Sequence, residues 1–139
     1  MRRCAFVSMQ SMEGFVADDD LAIPPLAARG WRVEVVPWDA SGVRWDDFEL
    51  VVLRTPWDYQ HRTAEFLEVL AQIEQSQARL ENPLAVVREN IDKAYLARLE
   101  SRGVRIVPTL WQQPFDPTSL ERAREELGTS QLVVKPTIG

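Results

Sequence analysis

The chain holds one cysteine and one histidine, Cys4 and His61. A single thiol forms no internal disulfide, and such sparse cysteine usage fits a reduced, cytoplasmic setting. The same scarcity argues against a His/Cys zinc site or a Cys-His catalytic pair, because each needs partners this chain does not supply. Neither Gly-x-Gly-x-x-Gly nor Gly-x-x-x-x-Gly-Lys-Ser/Thr occurs, which removes the two familiar glycine-rich phosphate cradles. Long apolar runs are missing too. The stretch from Cys4 to Val7, behind Arg2 and Arg3, falls far below the about 20 residues of a membrane helix and is too short for a signal peptide. Clustered positive charge is also absent. With 16 Lys and Arg against 21 Asp and Glu, the net charge of −5 leaves no broad nucleic-acid footprint, so any phosphate contact must be local.

What is present suffices for one ordinary core and part of a second, since 45% of the 139 residues are hydrophobic. Cys4 to Ser8 reads as a short strand. Leu21 to Arg29 reads as a helix led by Asp18, Asp19 and Asp20, whose oxygens suit free amides and the positive end of the helix dipole. Pro24 and Pro25 fit only its first turn, and Gly30 supplies the stop. Trp31 to Pro37 and Glu49 to Arg54 follow as strands. Leu50 to Leu53 run apolar without alternation, as in a strand covered on both faces. Thr63 to Ser76 is a helix with Phe66, Leu67, Leu70 and Ile73 on one side. The expectation is an α/β fold, an open and mostly parallel sheet in β-α-β-β-α order.

The pattern changes near Asn82 to Asn90, which sets the expected domains at 1–85 and 86–139. An Asn-Pro turn leads to "IDKAYLARLESRG", a helix with Tyr95, Leu96 and Leu99 inward and Gly103 as its stop. Val104 to Val107 reads as a strand. "DPTSLERAREELG" is a further helix, capped by Asp116 or Thr118, and Gln131 to Lys135 is the last expected strand. Lys93 opens one helix and Lys135 ends a strand. Two ammonium groups converging from separate elements can hold polyphosphate oxygens without a Walker loop, while a loop beside the second can add backbone N–H donors. Taken singly, Lys93 is an ordinary surface lysine.

"NPLAVVRENIDKAYLARLESRGVRIVPT", followed by a helix and "LVVKPTIG", resembles ATP-grasp enzymes. "MEGFVADDDLAIPPLAARGWRVEVVPWD" and "LVVLRTPWDY" are similar to the Rossmann-like pre-ATP-grasp domain of that superfamily, in its glutathione-synthetase-like and cycloserine-ligase-like branch. The resemblance implies a carboxylate–amine ligase using ATP and Mg²⁺, with Lys93 and Lys135 as the phosphate lysines and Thr137 and Gly139 opening the phosphate-covering loop. It also implies that the magnesium ligands, the adenine hinge and an acyl-phosphate arginine belong to a C-terminal lobe absent from these residues. The chain is then expected to be the N-terminal portion of a larger enzyme, ending at the start of an ATP-grasp small lobe and inactive alone.

"RTPWDY" follows the third strand, where open α/β sheets place ligand loops. Arg54 would pair with a substrate carboxylate, Asp58 would accept from an amine or position Arg54, and Trp57 and Tyr59 would wall the pocket. The structural alternative pairs Arg54 with Asp58 as a brace and leaves Trp57 and Tyr59 capping the core. Asp18 to Asp20 suit a helix start better than a metal site, and His61 a surface loop. Trp31, Trp38, Trp45 and Trp111 read as packing.

Two other function classes fit the same features. One is a non-catalytic interaction module, pairing with another chain or a second copy of itself through an open edge strand at Lys135. The other is a small-molecule sensor using the pocket near Arg54. In the ligase reading the partners are small carboxylate and amine substrates, with no nucleic acid and no membrane.

Overall fold

The computed structural model describes residues 1–112 and 114–139. They divide into two compact units, one of Met1–Ile91 with Gly139 and one of Asp92–Ile138. The first unit runs β1 (Arg2–Ser8), α1 (Asp19–Ala27), β2 (Trp31–Pro37), β3 (Leu50–Thr55), α2 (Thr63–Gln75), β4 (Arg79–Glu81) and α3 (Leu84–Asn90). Its strands form one sheet in the order β2-β1-β3-β4, every neighbouring pair parallel. Parallel neighbours need a crossover rather than a tight hairpin. Helix α1 provides it between β1 and β2, and α2 between β3 and β4.

β1 lies inside the sheet, and every residue from Cys4 to Ser8 is buried. Alternation sends Ala5 and Val7 to one face, where they join Val51, Trp38, Phe66, Leu70 and Ile73 in the core. Phe66, Leu70 and Ile73 recur at spacings of four and three, so one stripe of α2 closes over that face. Cys4 points to the other face. Burial raises its pKa, which keeps the thiol neutral and unreactive.

Several local expectations give way to the structure. Helix α1 begins at Asp19, so Pro24 and Pro25 lie beyond its first turn. The two amide donors they remove are tolerated because α1 buries no residue and Asp20 and Leu21, the residues four positions earlier, are exposed. Asp18 makes no side-chain capping bond. Within Leu50 to Leu53 only Val51 is fully buried, so β3 is covered less evenly than its apolar run suggests. The short elements β4 and α3 lay outside the sequence reading. Leu80, Leu84 and Val87 fasten them to the core, but three-residue and seven-residue segments carry too little periodicity to announce themselves.

The second unit contains α4 (Tyr95–Ser101) and α5 (Leu120–Leu127). The Asp116 carboxylate accepts from Thr118 N at 2.9 Å and Thr118 Oγ1 at 2.7 Å, shaping the turn before α5. Gly103 and Gly128 take positive φ after the two helices, where a side chain would be strained. The strands expected at Val104 to Val107 and Gln131 to Lys135 do not form. Val107 is 81% and Val133 79% exposed. A short apolar run becomes a strand only when a neighbour takes its backbone hydrogen bonds, and among the described residues of this unit the pairing is limited to an isolated Asp92–Ile138 bridge.

Trp38 and Trp45 are buried as expected, and Arg2 lies over the ring of half-buried Trp31 at 3.8 Å. Trp111, by contrast, is 41% exposed and is not core. No helix among the described residues is long and apolar enough to cross a membrane.

Near the start of β1, Arg3 Nε donates to Glu34 Oε1 of β2 at 3.0 Å. This hydrogen bond, opposed by burial, holds the Glu34 pKa below the ordinary glutamate value. A depressed folded-state pKa contributes stability above the unfolded value and loses it as pH falls through the folded one. Glu34→Gln is therefore expected to melt slightly below the parent at neutral pH, with the gap closing in acid. Melting temperatures across a pH series check this, and a pH-independent gap would contradict it.

Candidate functional site

The strand order fixes where a ligand can sit. From β1 the chain steps to β2 on one side and then crosses to β3 on the other, so the loops leaving β1 and β3 diverge at their carboxyl ends. Open α/β sheets form ligand crevices at such reversal points. Met9 N donates to Thr55 O at 2.9 Å and Trp38 N to Ser8 O at 2.8 Å, tying the strand ends together. Above them lies an open depression of about 640 Å³, lined by Met9 to Ser11, Phe15, Trp57 to His61, and Gly139.

The "RTPWDY" segment contributes its residues unequally. Arg54 Nε donates to Asp19 Oδ1 at 2.7 Å, and this ion pair joins the end of β3 to the start of α1. The expected Arg54–Asp58 brace is not made. Asp58 Oδ1 instead accepts from Trp38 Nε1 at 2.7 Å. The buried indole N–H needs an acceptor, and the turn after β3 supplies one within reach. Trp57 is half exposed beside Phe15, with ring centroids 5.6 Å apart. Tyr59 stacks on Phe66 at 4.9 Å, so it belongs to the core edge as much as to the depression. His61 is exposed in the short turn that follows.

Arg62 lies over Trp38 at 4.4 Å to the ring centroid and pairs with Asp39 and Glu65. Its Asp39 hydrogen bond, with the charges of Glu65, Asp39 and Asp58, raises the guanidinium pKa, so the cation is permanent. Beside it a smaller cavity of about 220 Å³ lies between Trp38, Trp45, Val43 and Gln72. The sequence carries a sign of this paired arrangement, since Pro-Trp-Asp occurs at the end of β2 and again after β3. Phe15 gives no such signal, because a lone aromatic in an irregular loop has no periodicity.

In the second unit, Lys93 N and Lys93 Nζ both donate to Thr137 O, at 2.8 and 3.5 Å. Lys93 precedes α4 rather than opening it, and Asp92 Oδ1 accepts from Ala94 N at 2.9 Å in the turn between. Lys135 is exposed on the irregular segment leading to Thr137, which is half-buried. Lys93 and Thr137 are thus brought together, while Gly139 groups with the first unit.

A family model described as the N-terminal domain of D-cycloserine synthetase DcsG matches residues 4–82. The cycloserine biosynthesis protein DcsG of Streptomyces lavendulae is 38% identical over 128 residues, covering 86% of this chain and 42% of that protein. The crystal structure of D-cycloserine synthetase DcsG is similar with a TM-score of 0.71 and 32% identity, over 99% of this chain and 47% of the other. The ATP-grasp ligase PsnB, in complex with minimal precursor, Mg and ADP, gives a TM-score of 0.52 at 19% identity, over 90% of this chain and 52% of its own. The macrocyclase MdnC bound with precursor peptide MdnA, from Microcystis aeruginosa MRC, gives 0.54 at 15%, over 99% and 60%. The last two likenesses concern the fold. The chain spans less than half the length of the DcsG relatives it matches.

Asp58→Ala strands the buried Trp38 N–H and is expected to cost about 1–3 kcal/mol, the usual penalty for an unsatisfied buried donor. Asp58→Asn keeps an amide oxygen as acceptor and is expected to lose far less. Urea unfolding of both variants reads the difference; equal losses would mean the indole bond contributes little.

Proposed function

The chain belongs to the family of the D-cycloserine synthetase DcsG N-terminal domain, and from that premise we propose that it is the N-terminal part of an ATP-dependent carboxylate–amine ligase. The observation that carries the reading is the family match over β1 to β4, joined to an open depression at the sheet's reversal point. In such a ligase ATP converts a carboxylate, a poor electrophile, into an acyl-phosphate that an amine can attack.

The residues of this chain would have two separate tasks. Lys135 and Lys93, with Thr137 and Gly139 nearby in sequence, would offset negative charge on ATP phosphates. Lys135 is exposed and accessible for such a contact, and Lys93 is steadied by Thr137. Trp57, Asp58 and Tyr59 would wall one side of a substrate site. Arg54 would stand at its margin and meet a carboxylate only by exchanging Asp19 for it. The described residues include no cluster of three or more His, Cys, Asp or Glu able to hold a metal. No step through the metal is assigned to this chain. The 139 residues alone are accordingly proposed to lack turnover.

ATP binding to the purified chain is the direct test. Lys135→Ala is expected to weaken ATP about tenfold, the loss of one charge-assisted contact, and AMP is expected to bind more weakly than ATP. Calorimetric titration reads both. Equal affinity for ATP and AMP, or no effect of Lys135→Ala, would remove the phosphate role. Sustained phosphate release dependent on a carboxylate and an amine would overturn the proposed inactivity.

A second reading, a non-catalytic module that pairs with another chain, is favoured by the exposure of Val107 and Val133. It expects concentration-dependent self-association or capture of a partner strand. Light scattering showing a strict monomer at high concentration counts against self-pairing.

A further inference from the structure

We infer that the depression at the ends of β1 and β3 is a site for a cationic group, the protonated amine of a small substrate, held by Asp58 against the Trp57 and Phe15 rings. The inference rests on the ligase reading only for the word substrate; the binding chemistry follows from the site itself. Asp58 lines the depression, and its Oδ1 is fixed by the Trp38 N–H. Among the described residues Oδ2 makes no hydrogen bond or ion pair within the chain. A carboxylate oriented through one oxygen and open at the other is a preorganised acceptor for an ammonium donor. The half-exposed Trp57 and Phe15 rings stand at the same depression, and aromatic faces attract cations through their quadrupoles.

The charges around the site point the same way. No lysine or arginine lines the depression, and its one basic side chain is His61. Arg62, whose guanidinium feels the Asp58 charge, is paired with Asp39 and Glu65 rather than with Asp58. Arg54, the residue expected to attract a carboxylate, is engaged by Asp19 and does not line the depression. An anionic substrate group therefore finds no cationic partner here, whereas an ammonium finds a carboxylate and two rings.

Three probes of similar size separate the charge states: alaninamide is cationic, lactamide neutral and lactate anionic. With the full 139-residue chain and no nucleotide, alaninamide is expected to shift the Trp57 indole resonance saturably, lactamide weakly and lactate not at all. Asp58→Asn, which keeps the acceptor for Trp38, is expected to weaken alaninamide at least tenfold, and Trp57→Leu severalfold. Lactate binding as well as alaninamide, an unaltered Asp58→Asn titration, or no saturable response from any probe would each overturn the inference. ATP titration of the same variants distinguishes the two readings. Alaninamide binding without any ATP binding would sink the ligase reading and leave this site standing, while ATP binding with no alaninamide response would do the reverse.

Discussion

The buried indole N–H of Trp38 must be given an acceptor, and much of the candidate site follows from how that need is met. Trp38 follows β2 directly and lies in the core, only 1% exposed. Its donor reaches across β1 to Asp58 in the turn after β3. That single bond ties together two loops that the reversed strand order would otherwise let diverge. It also fixes Asp58, and with it the neighbouring Trp57 and Tyr59, at the rim of the depression. Arg62 closes the arrangement from the other side by covering the Trp38 ring and pairing with Asp39 and Glu65. A ligand at this rim meets side chains already held by the fold, which lowers the ordering cost of binding.

The layered parallel fold was legible chiefly because β1 and α2 each bury a repeated stripe. The strand at Trp31–Pro37 agrees with its expected bounds, and α2 differs from its expected bounds by one residue. What remained hidden depends on partners remote in sequence. Nothing local to "RTPWDY" says that Arg54 turns to Asp19 and that Asp58 turns to Trp38. Either carboxylate is chemically suitable for a guanidinium, and the indole donor that claims Asp58 is declared only once β2 and β3 lie on opposite sides of β1. Conversely, "VRIV" and "LVV" carry strand composition without a neighbour to make it structure. Composition specifies a propensity, while the ladder requires a second strand.

The second unit shows the same dependence for charge. Lys93 reads as part of the opening of a helix from its place in "IDKAYLARLESRG", but the Asp92 turn to Ala94 delays α4 to Tyr95. This leaves the Lys93 amide and ammonium both directed to the Thr137 carbonyl. Two sequence positions singled out for phosphate chemistry therefore meet through the backbone of one of them. The proximity of the Lys93 side chain to the segment carrying Lys135 is the structural feature on which the nucleotide reading leans.

The Arg54–Asp19 pair bears on which charge the substrate presents to this domain. Its side chains are 41% and 14% exposed, so solvent screens it and a pair of this kind contributes only about 0–1 kcal/mol to stability. Weakness of that sort does not make Arg54 available. Asp19 belongs to the same chain and acts at an effective concentration on the order of millimolar or above, whereas a free carboxylate must compete from bulk solution. A substrate anion would have to bring other contacts to displace it, and the adjacent depression offers none of positive charge. Asp58 makes no ion pair of that kind: Trp38 occupies one oxygen, and Arg62, which feels the Asp58 charge, is paired with Asp39 and Glu65. The fold thus spends its arginine on joining β3 to α1 and keeps its carboxylate for the ligand, which inverts the polarity that the residue types alone suggest.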